Sequence, residues 1–424
     1  MLKMSIIYAN IAKRIKVEYM NIIKKAFCRI FQRCMYIAYP FLPYREPEVI
    51  NGGVNGIPKV LKKNNKKHPL IVTDKGCIAA GLIESVKKVL EECDTDYVVY
   101  DAVVPNPTTA VVEKGKDIYK SSHCDSLIAV GGGSAMDSAK AIGALVVNKN
   151  KTLGKMKGIL KVRHKIPLLI AIPTTAGTGS EATLAAVVVD ALTRNKYAIN
   201  DFLLIPHYAV LDAHFTLTLP PVLTATTGMD AMTHAIEAYI GKSSYKLTRR
   251  EAKCAVRLIY NNIYKAYTNG NDYAARSAMA KAAYLAGCAF TRSYVGYVHA
   301  LSHALSGKYN TPHGEANAVL LPYVLEAYGK SVYKKLRKLA ICIGVADELT
   351  PEETAAKAFI QTIRDLNEKL NIPKTTYIKK EDIPSLATHA EKEANPLYPV
   401  PQLWGKKELE SIYYTVADKG FKYQ

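Results

Sequence analysis

The stretch SLIAVGGGSAMDSAKAIGALV, residues 126–146, limits the fold more than any other part of the chain. A short, unbroken apolar run leads into Gly131-Gly132-Gly133-Ser134 and then into an Ala-rich segment of helical character. An apolar run without polar alternation fits a strand covered on both faces, and a strand, tight turn and helix in succession is the unit of a parallel sheet. The pattern recurs. HPLIVTDKG carries a short strand ending at Asp74, followed by a helical stretch through Glu91. DYVVYDAVV leads to the turn Pro105-Asn106-Pro107 and a helix to Lys120. KIPLLIAIPTTAGTGSEAT supplies another buried strand with a second polar turn, and AAVVVD and YAVLD close this half. After Leu219-Pro220-Pro221 nearly everything reads as helix.

A chain of 424 residues exceeds one ordinary core, so two domains are expected. The expected organisation is an extension over 1–44, an α/β domain with a parallel Rossmann-like sheet over 45–219, and an all-α domain over 220–424. Within the extension Ile23, Phe27, Ile30, Cys34 and Ile37 recur at helical spacing among Lys24, Lys25, Arg29 and Arg33, and Pro40 ends the run. This is a basic amphipathic helix, expected to dock on the protein's own surface or to rest on an anionic membrane. Charges interrupt every apolar stretch, so a signal peptide or spanning helix fits poorly. Met20 is an alternative start.

The net charge of +20 raises the question of nucleic acid. Residues 1–67 hold fourteen Lys/Arg against three Glu, so the excess is local, and no RNA-binding or zinc-finger pattern accompanies it. A solvated basic surface is the preferred reading, and no nucleic-acid partner is expected. The eight Cys form no CxxC pair or regular framework, which fits reduced thiols in the cytoplasm.

Two turns at strand ends point to a nucleotide. At Gly132, Gly133 and Ser134 the missing side chains let backbone N–H groups approach an anion at a helix N-terminus. Thr174, Thr175 and Thr178 add hydroxyls at the end of another strand, the edge where ligands of open α/β sheets gather. Asp74 ends a strand where a carboxylate can accept from ribose hydroxyls, and it would repel a 2′-phosphate, favouring NAD over NADP. Ligand-free tight turns and a helix-capping Asp use the same residues. Asp137 is a further candidate for cofactor binding, in a first helical turn where the dipole favours a carboxylate even without any ligand.

A second constellation lies in residues 226–314. Asp230 and His234 are four apart, His299 and His303 repeat that spacing, and His313 follows at a loop-to-helix junction marked by Thr311-Pro312. The first helix is expected to begin at Thr226 or Thr227, the second to stop at Gly307. Five N/O groups could meet at one divalent ion with a position left open, although His at helical spacing also serve as ordinary core or surface residues. Spacing does not say which group is spare.

VTDKG, VVPNPTTAVV, GGGSAMDSAKA, PTTAGTGSEAT, TGMDAMTHAIEAY, HALSHALSGKYNTPHGEANAVLLP and the NP of EANPLYPV together resemble the iron-containing (group III) alcohol dehydrogenase family over residues 45–424. The resemblance implies a dehydroquinate synthase-like architecture with a metal in the cleft between the two halves. It implies Asp230, His234, His299 and His313 as metal ligands and His303 beside the nicotinamide and the reacting oxygen. It further points to Gly132, Gly133, Ser134, Thr174, Thr175 and Thr178 for pyrophosphate and nicotinamide, to Asp74 for ribose, and to Asn106 and Lys196 for the nucleotide. The basic extension matches no part of the family pattern.

The implied reaction is hydride transfer between a small alcohol or diol and NAD, with a homo-oligomer as the working form. The family favours Fe(II), and the Irving–Williams order favours Zn at the same donors. Glycerol dehydrogenase-like or dehydroquinate synthase-like enzymes share the fold and are the alternatives. A basic scaffold binding nucleic acid or membrane is a distant third.

Overall fold

The computed structural model describes residues 22–193 and 195–418. The first part of the expected extension, including the alternative start at Met20, lies outside the described residues. The strands are β1 (Glu48–Val49), β2 (Pro69–Asp74), β3 (Val98–Val103), β4 (Ser126–Gly131), β5 (Gly158–Ile159), β6 (Leu168–Pro173), β7 (Ala185–Val189), β8 (Lys196–Asn200) and β9 (Tyr208–Ala209). α1 (22–38) precedes the sheet half, whose helices are α2 (Ile57–Lys63), α3 (Lys75–Ala79), α4 (Glu84–Glu91), α5 (Thr109–Ser121), α6 (Gly133–Val147) and α7 (Leu153–Met156). The helical half comprises α8 (Pro221–Ile240), α9 (Lys246–Thr268), α10 (Tyr273–Ser293), α11 (Tyr297–Tyr309), α12 (His313–Tyr328), α13 (Tyr333–Cys342), α14 (Glu352–Lys369), α15 (Ile383–Ala394) and α16 (Lys406–Val416).

Six strands form one sheet in the order β1-β9-β6-β4-β2-β3, parallel throughout. Alternation along the strands sorts the core into two layers, as a pleated strand must. Leu70, Val72, Leu127, Ala129, Leu169 and Ala171 pack in one apolar cluster with Val112 of α5 and Met136 and Ile142 of α6. Ile71, Ile128, Val130, Ile170 and Ile172 face the other way, onto Leu61 of α2 and Val86 and Leu90 of α4. Both faces are therefore covered, which is why β4 and β6 are buried at every position.

AAVVV stands outside the parallel sheet: β7 pairs antiparallel with β8 in a separate three-stranded sheet, and its burial alternates as expected of a strand with one wet face. Three expectations need correction. The stretch after Asp74 is two helices, broken where Gly81 takes φ +67°. α8 begins at Pro221, not at Thr226 or Thr227, because Pro at a first helical position needs no N–H partner; both threonine hydroxyls instead donate back to carbonyls four residues earlier. α11 runs past Gly307 to Tyr309, where Asn310 in the left-handed region ends it.

The amphipathic helix exists as α1 and docks on the body, but with the opposite face. Cys28 and Gln32 are buried, whereas Ile23, Phe27, Ile30, Cys34 and Ile37 point away. Gln32 Nε2 donates to the carbonyls of Pro396 (3.1 Å) and Tyr398 (2.7 Å), and Arg29 donates to those of Val400 (2.8 Å) and Pro401 (3.1 Å). Lys24 pairs with Glu391 of α15. Four carbonyls of one loop thus outcompete the apolar stripe for the contact face. The segment that follows stays attached through the buried guanidinium of Arg292, which bonds Glu46 and Glu251.

Candidate active site

The parallel strands end on one edge, and their turns meet there. Gly131 has φ +153°, and a Cβ on it would lie 2.6 Å from that of Ala135. Thr174 N donates to Gly131 O at 3.0 Å, tying the second turn to the first. A Cβ at Gly132 would sit 3.4 Å from Thr175 Cγ2, and one at Gly133 would sit 3.0 Å from Thr178 Cγ2. Gly132 and Gly133 therefore face the threonines directly, and α6 starts at Gly133 with no side chain capping its free N–H groups. Such an uncapped helix start lined by glycine and threonine fits a pyrophosphate.

Asp74 stands beside this turn, with Oδ2 3.4 Å from the position of a Cβ on Gly131. It also caps α3, its Oδ1 accepting from Cys77 N at 2.9 Å. Asp137 is fully employed within the protein: its oxygens accept from Ser180 Oγ (3.0 Å) and Val187 N (3.1 Å). Asn106 and Lys196 come together, Nζ donating to Oδ1 at 2.8 Å.

The second turn touches the helical half. A Cβ on Gly177 would lie 2.5 Å from Thr227 Cβ, and Gly179 crosses Gly287 of α10 so closely that neither tolerates a side chain. Through this contact the sheet edge is set against α8, which carries Asp230 and His234.

Asp230, His299 and His313 offer ligand atoms that all lie within 4.8 Å of one another. Their acceptors converge: Asn317 Nδ2 is 2.7 Å from Asp230 Oδ1, 3.2 Å from His299 Nε2 and 3.1 Å from His313 Nε2. His234 adjoins them without joining this tight group. Its Nδ1 is 3.9 Å from Asp230 Oδ1, its ring stacks on His299 and on Phe290, and that buried Nδ1 has no hydrogen-bond partner. A carboxylate, two converging imidazole nitrogens and an orphaned third fit a divalent cation of borderline softness.

Electrostatics leave Asp230 ionised and His234 and His313 neutral, the states a metal ion requires, whereas His299 has a proton to give up before it can ligate. Burial alone would raise Asp230, yet His234 and His313, with a hydrogen bond from His299, hold its carboxyl far below the usual range. Burial pushes His234 down to about 3 and His313 well below its ordinary value, so both are neutral with lone pairs free. Burial would likewise lower His299, but its bonds to Asp230 and Glu237 reverse this and hold it at about 9. The Glu237 carboxylate, also on α8, lies 2.6 Å from His299 Nδ1 and accepts from the amides of Gly296 (2.7 Å) and Val298 (2.8 Å) at the start of α11. One carboxylate therefore orients both a ring and the helix that carries it, leaving Nε2 toward Asp230.

His303 lies on the open side. It is 40% exposed against 2% for His299, and its ring stacks on His313 with centroids 5.0 Å apart. Its Nδ1 is 2.6 Å from Glu393 Oε1, to which Tyr398 OH also donates at 2.7 Å. Burial alone would raise Glu393; the charge of His303 with the two hydrogen bonds holds it below the usual range. Tyr398 belongs to the loop gripped by Gln32 of α1.

Four participants escaped the sequence reading: Glu237, Asn317, Glu393 and Tyr398. Asn317 was within reach, being one helical turn after His313.

Residues 48–213 match the family described as iron-containing alcohol dehydrogenase, and residues 224–417 match the C-terminal part of the same family. Alcohol dehydrogenase 4 of Saccharomyces cerevisiae is 40% identical over 348 residues, covering 81% of this chain and 89% of the relative. A 1,3-propanediol dehydrogenase of Citrobacter freundii is 36% identical over 385 residues, covering 89% and 99%. The solved alcohol dehydrogenase from Oenococcus oeni superposes with a TM-score of 0.85 at 33% identity, over 88% of this chain and all of that one. α1 precedes the matched regions. With both family segments present in order and relatives covered nearly end to end, the chain belongs to the iron-containing alcohol dehydrogenase family, an oxidoreductase acting on CH–OH groups.

Proposed function

We propose that the protein interconverts a small primary alcohol or diol and its aldehyde, using NAD(H) in preference to NADP(H) and a divalent metal, Fe(II) or Zn. The observation that carries this reading is the convergence of Asp230, His299 and His313 on one point beside the threonine turn. Asp230, His299 and His313, with His234 adjoining, would hold the ion. Gly132, Gly133 and Ser134 with Thr174, Thr175 and Thr178 would hold the pyrophosphate, and Asp74 the ribose. When bound, the ion supplies Lewis acidity at the substrate oxygen and the nicotinamide supplies the hydride acceptor.

The protein's own part is orientation and proton handling. Glu393 accepts from Nδ1–H of His303, which leaves Nε2 on the exposed side to take the hydroxyl proton and pass it to solvent. His299 is held from behind by Glu237, so its cleft-side nitrogen stays in place without a contribution from substrate. Phe290 and the stacked imidazoles wall off the deep side of the site. The cytoplasm is the proposed compartment, supported by eight cysteines that are all free, and a homo-oligomer the proposed working form, supported by the short open edge strand β1.

The test is a panel of short alcohols, diols and aldehydes followed by NADH absorbance, on protein loaded anaerobically with Fe(II) or with Zn and with bound metal quantified. Turnover that tracks metal content supports the reading. Full metal occupancy without NADH change across the panel would remove it.

A further inference from the structure

α1 turns its polar side to the body and its apolar side outward, the reverse of a helix that belongs to a core. Ile23, Phe27, Ile30 and Ile37 are 46–64% exposed, and Phe41 just beyond the helix is 85% exposed. Their spacing puts the helical four on one stripe, roughly opposite the buried Cys28 and Gln32. Soluble surfaces rarely carry a continuous row of large apolar side chains without something to cover it.

Charge decides what that cover is. Residues 22–45 hold five Lys/Arg and no Asp or Glu. Lys25 and Arg33 are exposed, and the side chain of Lys24 remains 57% exposed despite its contact with Glu391. A second copy laid against this stripe would bring cations against cations, with no carboxylate in either segment to offset them. A surface of anionic lipid headgroups offsets them and also offers an acyl boundary to the isoleucines and phenylalanines. Among the described residues no helix is long and apolar enough to cross a membrane. The seventeen residues of α1 would instead lie in the plane, about 25 Å along it.

We propose that the outward face of α1 is a docking surface for an anionic lipid leaflet. Ile23, Phe27, Ile30, Ile37 and Phe41 enter the acyl boundary, while Lys24 and Arg33, at the two borders of the stripe, meet the headgroups. The inward contacts of Gln32 and Arg29 keep the enzyme body fixed to the helix while it lies there. The proposal is independent of the substrate and metal assigned above.

Sedimentation of the full chain with vesicles tests it. Vesicles of phosphatidylcholine alone are compared with vesicles containing about one-third phosphatidylserine, at low and high salt. The protein is expected to pellet with the anionic vesicles and to be released by salt. Phe27→Asp with Ile30→Asp should weaken this binding at least about tenfold, as should Lys24→Gln with Arg33→Gln. Both double variants keep wild-type alcohol oxidation, which shows that they fold. The proposal is overturned if wild type ignores anionic vesicles, if the variants bind as well as wild type, or if the Phe27/Ile30 variant halves the mass in solution, the mark of a second copy.

Discussion

Glu237 offers the sharpest test of how the site is held. Its carboxylate accepts two amide N–H groups and faces an imidazole N–H, all buried, with distances of 2.6 to 2.8 Å. Glu237→Ala leaves three donors without partners. At about 1–3 kcal/mol for each unsatisfied buried group, the total is roughly 3–9 kcal/mol, with the low end applying if water enters the space. Glu237→Gln keeps the shape but turns an amide N–H₂ toward one of the donors, so about 2–4 kcal/mol is the expected loss. Because the ring loses its orienting partner, metal affinity should fall about 10–100-fold. The assay is chelator competition for the bound metal together with denaturant unfolding of the metal-free protein. A second cycle with His299→Ala separates orientation from bulk destabilisation: once the ring is gone, Glu237→Gln should cost little further affinity. Equal metal retention by wild type and Glu237→Gln would refute the reasoning, as would full additivity of the two changes.

His303→Ala should retain metal and lose about 10²–10⁴ in turnover, while His313→Ala loses metal; metal loss in the first variant would reassign the spare histidine. Asp74→Gly should raise acceptance of NADP relative to NAD by about fivefold or more, from the roughly 1–4 kcal/mol between charges near 4 Å, and an unchanged ratio in steady-state kinetics would end its proposed ribose role. His207 provides a pH test away from the metal. Burial first, then Arg45 and Lys165, pushes its imidazole down to about 4 from 6.5, and Nδ1 accepts from Leu169 N. The unfolded chain therefore takes up more protons between those values, so stability is complete above about 6.5 and is lost as pH falls toward about 4, by at most about 3 kcal/mol. His207→Asn keeps an acceptor and should flatten that dependence in denaturant titrations; an equally steep loss on acidification would remove His207 as its source.

What could be read in advance had a local cause. β4, its glycines and α6 are contiguous in sequence, so burial on both faces and the uncapped helix start leave their mark in one stretch. Asp230 and His234 on α8, and His299 and His303 on α11, each pair four apart, are legible as candidate site residues for the same reason. Glu237 looked like an ordinary helix-face acid because its partners lie 59 to 62 residues away. Glu393 is 90 residues from His303, and no spacing rule connects them. The direction of α1 was hidden for a different reason. Periodicity reveals that a stripe exists, whereas the face that docks depends on which neighbour offers better contacts. Here four backbone carbonyls met Gln32 and Arg29.

That grip reaches further than its place on the surface implies. Gln32 secures the backbone at Tyr398, Tyr398 secures Glu393, and Glu393 secures His303. A shortened chain, cut at residue 47 to match its relatives, would therefore arrive at the bench with His303, the proposed proton carrier, loosened from behind. Its poor turnover would then be blamed on the wrong alcohol, when the missing part is a strut.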